Sequence, residues 1–362
     1  MDKKRRVCPD CSGESVDRRQ FLTTAAGVAA AAAAGGIPLF AVPKASAAPT
    51  PTSAPETAVK GLYDMLTDEQ KKVVCFDWDY MDKAGGNGLL RTHVSNNWHI
   101  TKPAILSDFY NKKQQDVIHD IWKGIINPDW EKKFLQQLKD DTGGGDFGEQ
   151  QNIAIFGKPG DGKFEFVITG RHMTLRADGH SQDHVAFGGP IFYGHQASTA
   201  PGQPSLTEKV GHPGNVFIHQ AIEATKLYGL LDTKQQATAL IQKKPAESAV
   251  AFQGDKGKFP GLPVSDLSND QKTELQKILA LLLDPFRKDD QDEAMGCLKR
   301  EGGLDHLSLA FYKEGNLEDD GSLWDCWRLE GPAFVWYFRG SPHVHVWVNV
   351  ADDPSIATNA KG

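Results

Sequence analysis

Two hydrophobic periods divide this chain. Apolar Ile105, Phe109, Val117 and Ile121 recur at helical spacing and predict a helix over residues 102–124, with another over 130–138. From Gln151 the period shortens to two. Asn152-Ile-Ala-Ile-Phe156, a Gly/Pro/Asp turn and Lys163-Phe-Glu-Phe-Val-Ile-Thr169 predict a hairpin, which His172-Met-Thr-Leu-Arg176 extends. Residues 205–230 and 233–243 read as mostly helical. An amphipathic helix is expected over Asn269–Leu283, with shorter helices up to Tyr312. The chain then returns to strands, Ala333-Phe-Val-Trp-Tyr-Phe338 and Val344-His-Val-Trp-Val-Asn-Val350, joined by a Gly-Ser-Pro turn. Leu66-Thr-Asp-Glu-Gln70 and Leu267-Ser-Asn-Asp-Gln271 each set a Ser/Thr three residues before a Gln, the sign of a capping box opening a helix. Helices segregated around a mainly antiparallel sheet predict one compact α+β domain, not a regular βαβ series.

Residues 1–47 follow neither period. Ser15-Val-Asp-Arg-Arg-Gln-Phe-Leu-Thr23 places a pair of arginines before an alanine-rich run, residues 25–42, broken by Gly35-Gly36 and Pro38. The run ends at Ala45-Ser46-Ala47, a small-x-small cleavage pattern. This resembles a twin-arginine export signal, whose machinery carries folded proteins. The expected division is therefore a signal over 1–47, an extended Pro/Thr/Ser-rich linker over 48–60 and the folded domain over 61–362. The expected location is the bacterial periplasm or another extracytoplasmic space. A run so rich in Ala and Gly is a poor spanning helix, so no stable membrane insertion is expected after cleavage.

Charge narrows the partners. Beyond residue 47 the chain holds 33 basic and 43 acidic residues, a net charge of −10. That balance disfavours nucleic acid and anionic membranes, which require clustered positive charge. Cys8 and Cys11 would leave with the signal. Cys75, Cys297 and Cys326 are too sparse for a disulfide framework, though one bridge stays open.

Several motifs fail on context. Gly157-Lys-Pro-Gly-Asp-Gly-Lys-Phe164 nearly matches a phosphate-binding loop, but Phe164 replaces the magnesium-bound hydroxyl and a strand follows where a helix is needed. It reads as a hairpin turn. Gly179-His-Ser-Gln-Asp183 lacks the final glycine of a nucleophile elbow. The acidic runs at 140–146 and 289–293 do not follow the EF-hand order and read as solvated loops.

Twelve histidines carry the remaining signal, and the informative pair is Pro342-His343-Val344-His345. Residues two apart on a strand project from one face, so both imidazoles can reach one ion at about 2.0–2.1 Å. His172, on a separate strand, is the expected third ligand and His195 a fourth candidate. Imidazole ligands suit zinc, copper or iron without choosing among them. His-x-His pairs also occur in plain sheets, where the rings bond backbone or pack beside aromatics.

The order Leu66-Thr-Asp-Glu-Gln70, Gly170-Arg-His172, Gly189-Pro-Ile-Phe-Tyr-Gly194, Glu330-Gly-Pro332 and His343-Val-His345 resembles the DUF3500 family over most of the chain. The family's Gly-His-His step is here Gly170-Arg171-His172, which keeps only the second histidine, and Ala351-Asp-Asp-Pro354 replaces its Asp-Tyr-Gly-like ending. The resemblance implies the grouping of His172 with His343 and His345 and supplies no reaction.

Three readings follow. A metal-dependent enzyme, hydrolase or oxidoreductase, would use Glu165 or Asp352 as general base and Arg171 or Arg176 to neutralise an anion. A non-catalytic binding protein would stack a small molecule or saccharide on aromatics such as Trp324, Trp327, Trp336, Tyr337 and Trp347, residues that equally suit a core. A cofactor-free hydrolase has no nucleophile motif to support it.

Overall fold

A computed structural model describes residues 48–195, 216–316, 322–340 and 343–359. The expected signal, and residues 205–215 of the helix expected from Ser205, lie outside these residues. All described residues belong to one compact unit, Ser46–Gly362. Its helices are α1 (Ala54–Met65), α2 (Asp68–Val74), α3 (Lys112–Ile125), α4 (Glu131–Asp141), α5 (Ile218–Leu230), α6 (Thr233–Ala239), α7 (Asn269–Leu283) and α8 (Lys288–Arg300). The strands of the first half are β1 (Cys75–Phe76), β2 (Met81–Asp82), β3 (Gly88–Leu89), β4 (Asn152–Gly157), β5 (Phe164–Gly170), β6 (Met173–Ala177) and β7 (Ile191–His195). Those of the second half are β8 (Leu240–Ile241), β9 (Leu262–Pro263), β10 (Ser308–Tyr312), β11 (Cys326–Gly331), β12 (Phe334–Arg339) and β13 (Val344–Val350).

One large sheet organises the unit. Its order is β1-β4-β5-β6-β7-β13-β12-β11-β10-β8, with β9 also paired to β10. The class is α+β, and the sheet is mixed: β4 to β10 form an antiparallel series, whereas β1 joins β4 and β8 joins β10 in parallel. These parallel pairs are two residues long and follow short helices, which turn the chain enough to bring it back in the same direction.

Alternation decides the two faces. Phe164, Phe166 and Ile168 of β5, Val344, Val346 and Val348 of β13, and Phe334, Trp336 and Phe338 of β12 enter a core shared with α1, α3, α5 and α7. The intervening residues face the other way, into smaller clusters under loops, where Phe192, Tyr337 and Trp347 pack. Buried ion pairs sit on that second face: Arg328 with Glu330 at 2.6 Å, and Glu165 between Arg91 at 3.0 Å and Arg176 at 2.7 Å. The large aromatics of the C-terminal strands are core residues, each buried.

Local chemistry sets the helix starts. Thr67 and Ser268 each cap a helix while Gln70 and Gln271 reach back, completing the expected boxes. Asn111 and Gln114 form another, which is why the helix expected from residue 102 starts only at Lys112. The segment read as an extended linker turns helical at Ala54. Pro55 suits a first helical turn, and fully buried Glu56 forms a two-pronged ion pair with Arg287. The near-phosphate loop is the β4–β5 hairpin turn, closed by Lys158 N–H donating to the Lys163 carbonyl at 3.0 Å.

Candidate metal centre

Three neighbouring strands place the histidines. β6 pairs with β7, and β7 with β13, so the N-terminal ends of β6 and β13 flank the C-terminal end of β7. His172 occupies the β5–β6 turn at φ 53°, a left-handed conformation that histidine tolerates better than bulky residues. Its N–H donates to the Asn96 carbonyl at 2.9 Å. His343 immediately precedes β13, and His345 is its second residue.

Opposite His345 in the ladder stands Gly194. A Cβ there would fall 2.4 Å from the Val344 carbonyl oxygen and 3.3 Å from the His172 ring. The missing side chain leaves the space over the middle strand into which the imidazoles lean. Their Nε2 atoms converge: His343 to His345 at 2.9 Å, and His345 to His172 at 3.3 Å. Among the described residues these three histidines form a group whose ligand atoms all lie within 4.8 Å of one another. Nitrogens at 2.0–2.1 Å from a tetrahedral ion lie about 3.3 Å apart, so the observed spacing is near that of a ligand set.

Carboxylates fix the tautomers. His172 Nδ1 lies 2.7 Å from Asp141 Oδ2, and His345 Nδ1 lies 2.6 Å from Glu247 Oε2. An ionised carboxylate only accepts, so each Nδ1 carries the proton and each Nε2 presents a lone pair. Asp141 is the last residue of α4, where the helix dipole disfavours negative charge. Burial adds to that cost, but hydrogen bonds from His172 and His195 hold its pKa below the usual value. Burial likewise opposes ionisation of Glu247, yet its bond to His345 and its pairing with Arg339 hold it at about 2.

Burial, followed by the nearby His345, His172 and Arg339, lowers His343 to about 3. Burial, and Arg339 against the opposing pull of Glu247, lowers His345 to about 4. Both rings are neutral at physiological pH, the state a metal requires. In the metal-free protein, NMR of their ring protons should show no titration above about pH 5; a midpoint near 6.5 in either ring would contradict this setting.

The other candidates occupy different surroundings. His195 is fully buried and shares Asp141 with His172, at 3.5 Å, but stands outside the converging group. Arg171 pairs through its backbone with Asn97. Both Glu165 oxygens are taken by Arg91 and Arg176. Asp352 is held by His184 at 2.7 Å and by Arg300. None of Arg171, Glu165 and Asp352 is among the three converging ligands. Cys75, Cys297 and Cys326 are unpaired thiols pushed by burial to about 12, unsuited to act as nucleophiles.

Sequence reasoning did not find Asp141 or Glu247. Asp141 sits in an acidic run that reads as a solvated loop, yet is 2 % exposed. Glu247 lies 98 residues from its histidine in a loop without periodicity. A cleft of about 460 Å³ adjoins the centre, with Asn96 and Glu247 in its walls.

A family model described as "Protein of unknown function (DUF3500)" matches residues 48–349. No curated protein gives a significant match, and no solved structure does.

Proposed function

Because the chain belongs to the DUF3500 family, a grouping without an assigned activity, we propose its function from the geometry of its histidines: a metal-dependent enzyme of hydrolytic type. One observation carries the proposal. His172 and His345 each have Nδ1 committed to a carboxylate, so their Nε2 lone pairs face one another at 3.3 Å. Two acceptors cannot satisfy each other, and a His343 Nε2–H, 2.9 Å from His345 Nε2, can satisfy only one of them, whereas a shared cation satisfies both. With His343 this makes three imidazole ligands, the number that leaves a coordination position open.

A divalent ion so held would keep its full charge, and would supply an activated water and polarise a carbonyl oxygen. The chain's own residues do the rest. Asp141 and Glu247 hold two rings in the binding tautomer and raise their basicity. The Arg339 guanidinium pairs with Glu247 at 3.1 Å and donates to the His343 carbonyl at 2.8 Å, tying the third ligand to the second. The adjoining cleft receives the substrate.

Protein purified after native export is expected to carry about one zinc or iron ion per chain by elemental analysis. It should also hydrolyse members of a panel of uncharged chromogenic esters, with activity lost to a chelator and restored by that ion. Protein without a stoichiometric metal would end the proposal. A stoichiometric copper would move it to oxygen chemistry, for which imidazole ligands are equally suited.

Export by the twin-arginine route into an extracytoplasmic space belongs to the same reading, supported by Arg18-Arg19 and the apolar run behind them. Changing both to Lys is expected to leave the protein in the cytoplasmic fraction at its precursor size. Unchanged processing would remove this part and leave the metal centre standing.

A further inference from the structure

The cleft beside the histidines has a composition that selects among substrates. One wall is the segment from His93 to Asn96, the other is Glu247 with Ser248, and Trp347 lies between them. Both walls are tied to the ligands. The Asn96 carbonyl accepts the His172 N–H, and Glu247 holds the His345 ring. The first wall is also pinned from behind, where Arg176 Nη2 donates to the His93 carbonyl at 2.7 Å and the Thr174 hydroxyl to the Ser95 carbonyl at 3.0 Å.

Apart from Glu247, the polar side chains lining this cleft are uncommitted. His93 Nδ1 and the Trp347 indole N–H are buried without a hydrogen-bond partner. Trp347 is 3 % exposed, so its N–H is a donor that the protein itself leaves unsatisfied. The hydrogen bonds of Ser95, Asn96 and Ser248 involve their backbone alone, which leaves two hydroxyls and an amide for a ligand. Hydroxyls and amides both donate and accept, whereas an anion accepts only.

Charge points the same way. The lining contains no Lys or Arg, and the Glu247 carboxylate in it is already paired with Arg339 at 3.1 Å. A wall without an unpaired charge gives carboxylates and phosphates no cation to bind and suits neutral ligands that donate as often as they accept. Val94 and Trp347 supply apolar surface against which C–H groups can pack.

We infer that this cleft is the substrate subsite of the centre and that it binds an uncharged, hydroxyl-rich ligand of the carbohydrate class. Its volume falls within the range of small-molecule sites. The word "substrate" rests on the metal-enzyme reading, but the binding itself does not. If the centre proves to hold no ion, the same cleft is a saccharide-binding site.

The test is a binding titration of the full mature protein with glucose and cellobiose in metal-loaded and chelator-treated samples, and with malonate, which would itself coordinate an ion, as the anionic control in the chelator-treated sample alone. Ligand-observed NMR and calorimetry would report the contacts. Saccharide binding in either sample, with malonate weaker, is expected. Asn96→Ala and Ser248→Ala should each weaken it by about 3–10-fold, the share of one hydrogen bond, while near-UV circular dichroism stays unchanged. The Asn96 change keeps the carbonyl that holds His172, so metal content should also be unchanged. Absence of saccharide binding in both samples, stronger binding of malonate, or unchanged affinity in both variants would overturn the inference. Metal content, measured separately, shows whether the enzyme reading has failed as well.

Discussion

Replacing His345 with Ala is expected to weaken metal binding by roughly two to three orders of magnitude. A structural zinc site with four ligands gains about 10–16 kcal/mol, so one ligand carries roughly 3–4 kcal/mol. At 1.4 kcal/mol per decade this gives that factor. The substitution also strands Glu247 beside Arg339, a pairing that persists at 3.1 Å, so the fold should survive with little loss. Removing the partner of the other imidazole is the graded counterpart. Asp141→Asn should weaken binding by about 10–100-fold, the range for a group that orients a ligand. His195→Ala should have a smaller effect than Asp141→Asn, because His195 touches Asp141 and lies outside the converging group. Competition titration with a chromophoric chelator measures all three, and wild-type affinity in His345→Ala would relocate the site.

The largest effect on stability is expected at Glu165. Both of its oxygens are bonded to buried guanidinium groups, and Arg91, Glu165 and Arg176 are each less than 5 % exposed. Glu165→Ala would leave two positive charges in the interior without their anion. Breaking such a pair from one side costs about 3–5 kcal/mol, a large part of the about 5–15 kcal/mol that holds an ordinary domain together. Urea unfolding should show this loss, and the variant should still take up the wild-type amount of metal where it remains folded. A loss below about 1 kcal/mol with activity abolished would instead restore Glu165 as a base in the reaction. Arg176, fixed by Glu165, holds the His93 wall of the cleft.

How much of this was legible in the sequence depended on how local each cause is. The helix over Asn269–Leu283 and the strand over Val344–Val350 match their expected limits because a cap and an alternation are written within a few residues. So is the His-x-His pair. Ser308–Tyr312, expected among short helices, is instead a strand, since its neighbours β9 and β11 supply the pairing. Cys326–Gly331 is a strand that was not expected from the sequence, although Trp327-Arg-Leu-Glu330 alternates and every residue is buried. Its Arg328 and Glu330 look solvent-facing in sequence but pair with each other beneath a loop, an arrangement made by distant chain. Asp141 and Glu247 were hidden for the same reason: their partners are 31 and 98 residues away. Sequence named the three converging histidines, and packing supplied what holds them.

Gly194 has a mechanical consequence. The turn before β6 and the start of β13 stand on opposite sides of β7, two strand spacings or about 9.5 Å apart. An ion bound by His172 and His345 would therefore be a rivet through three strands, seated above the glycine notch in the middle one. A one-residue slip of β13 would swing His345 through the sheet and put Val344 or Val346 in its place. Loading the centre should thus quiet the shared edge of β7 and β13, visible as slower amide exchange at Tyr193 and Val346, residues that touch no ligand atom but belong to the ladder the ion would clamp.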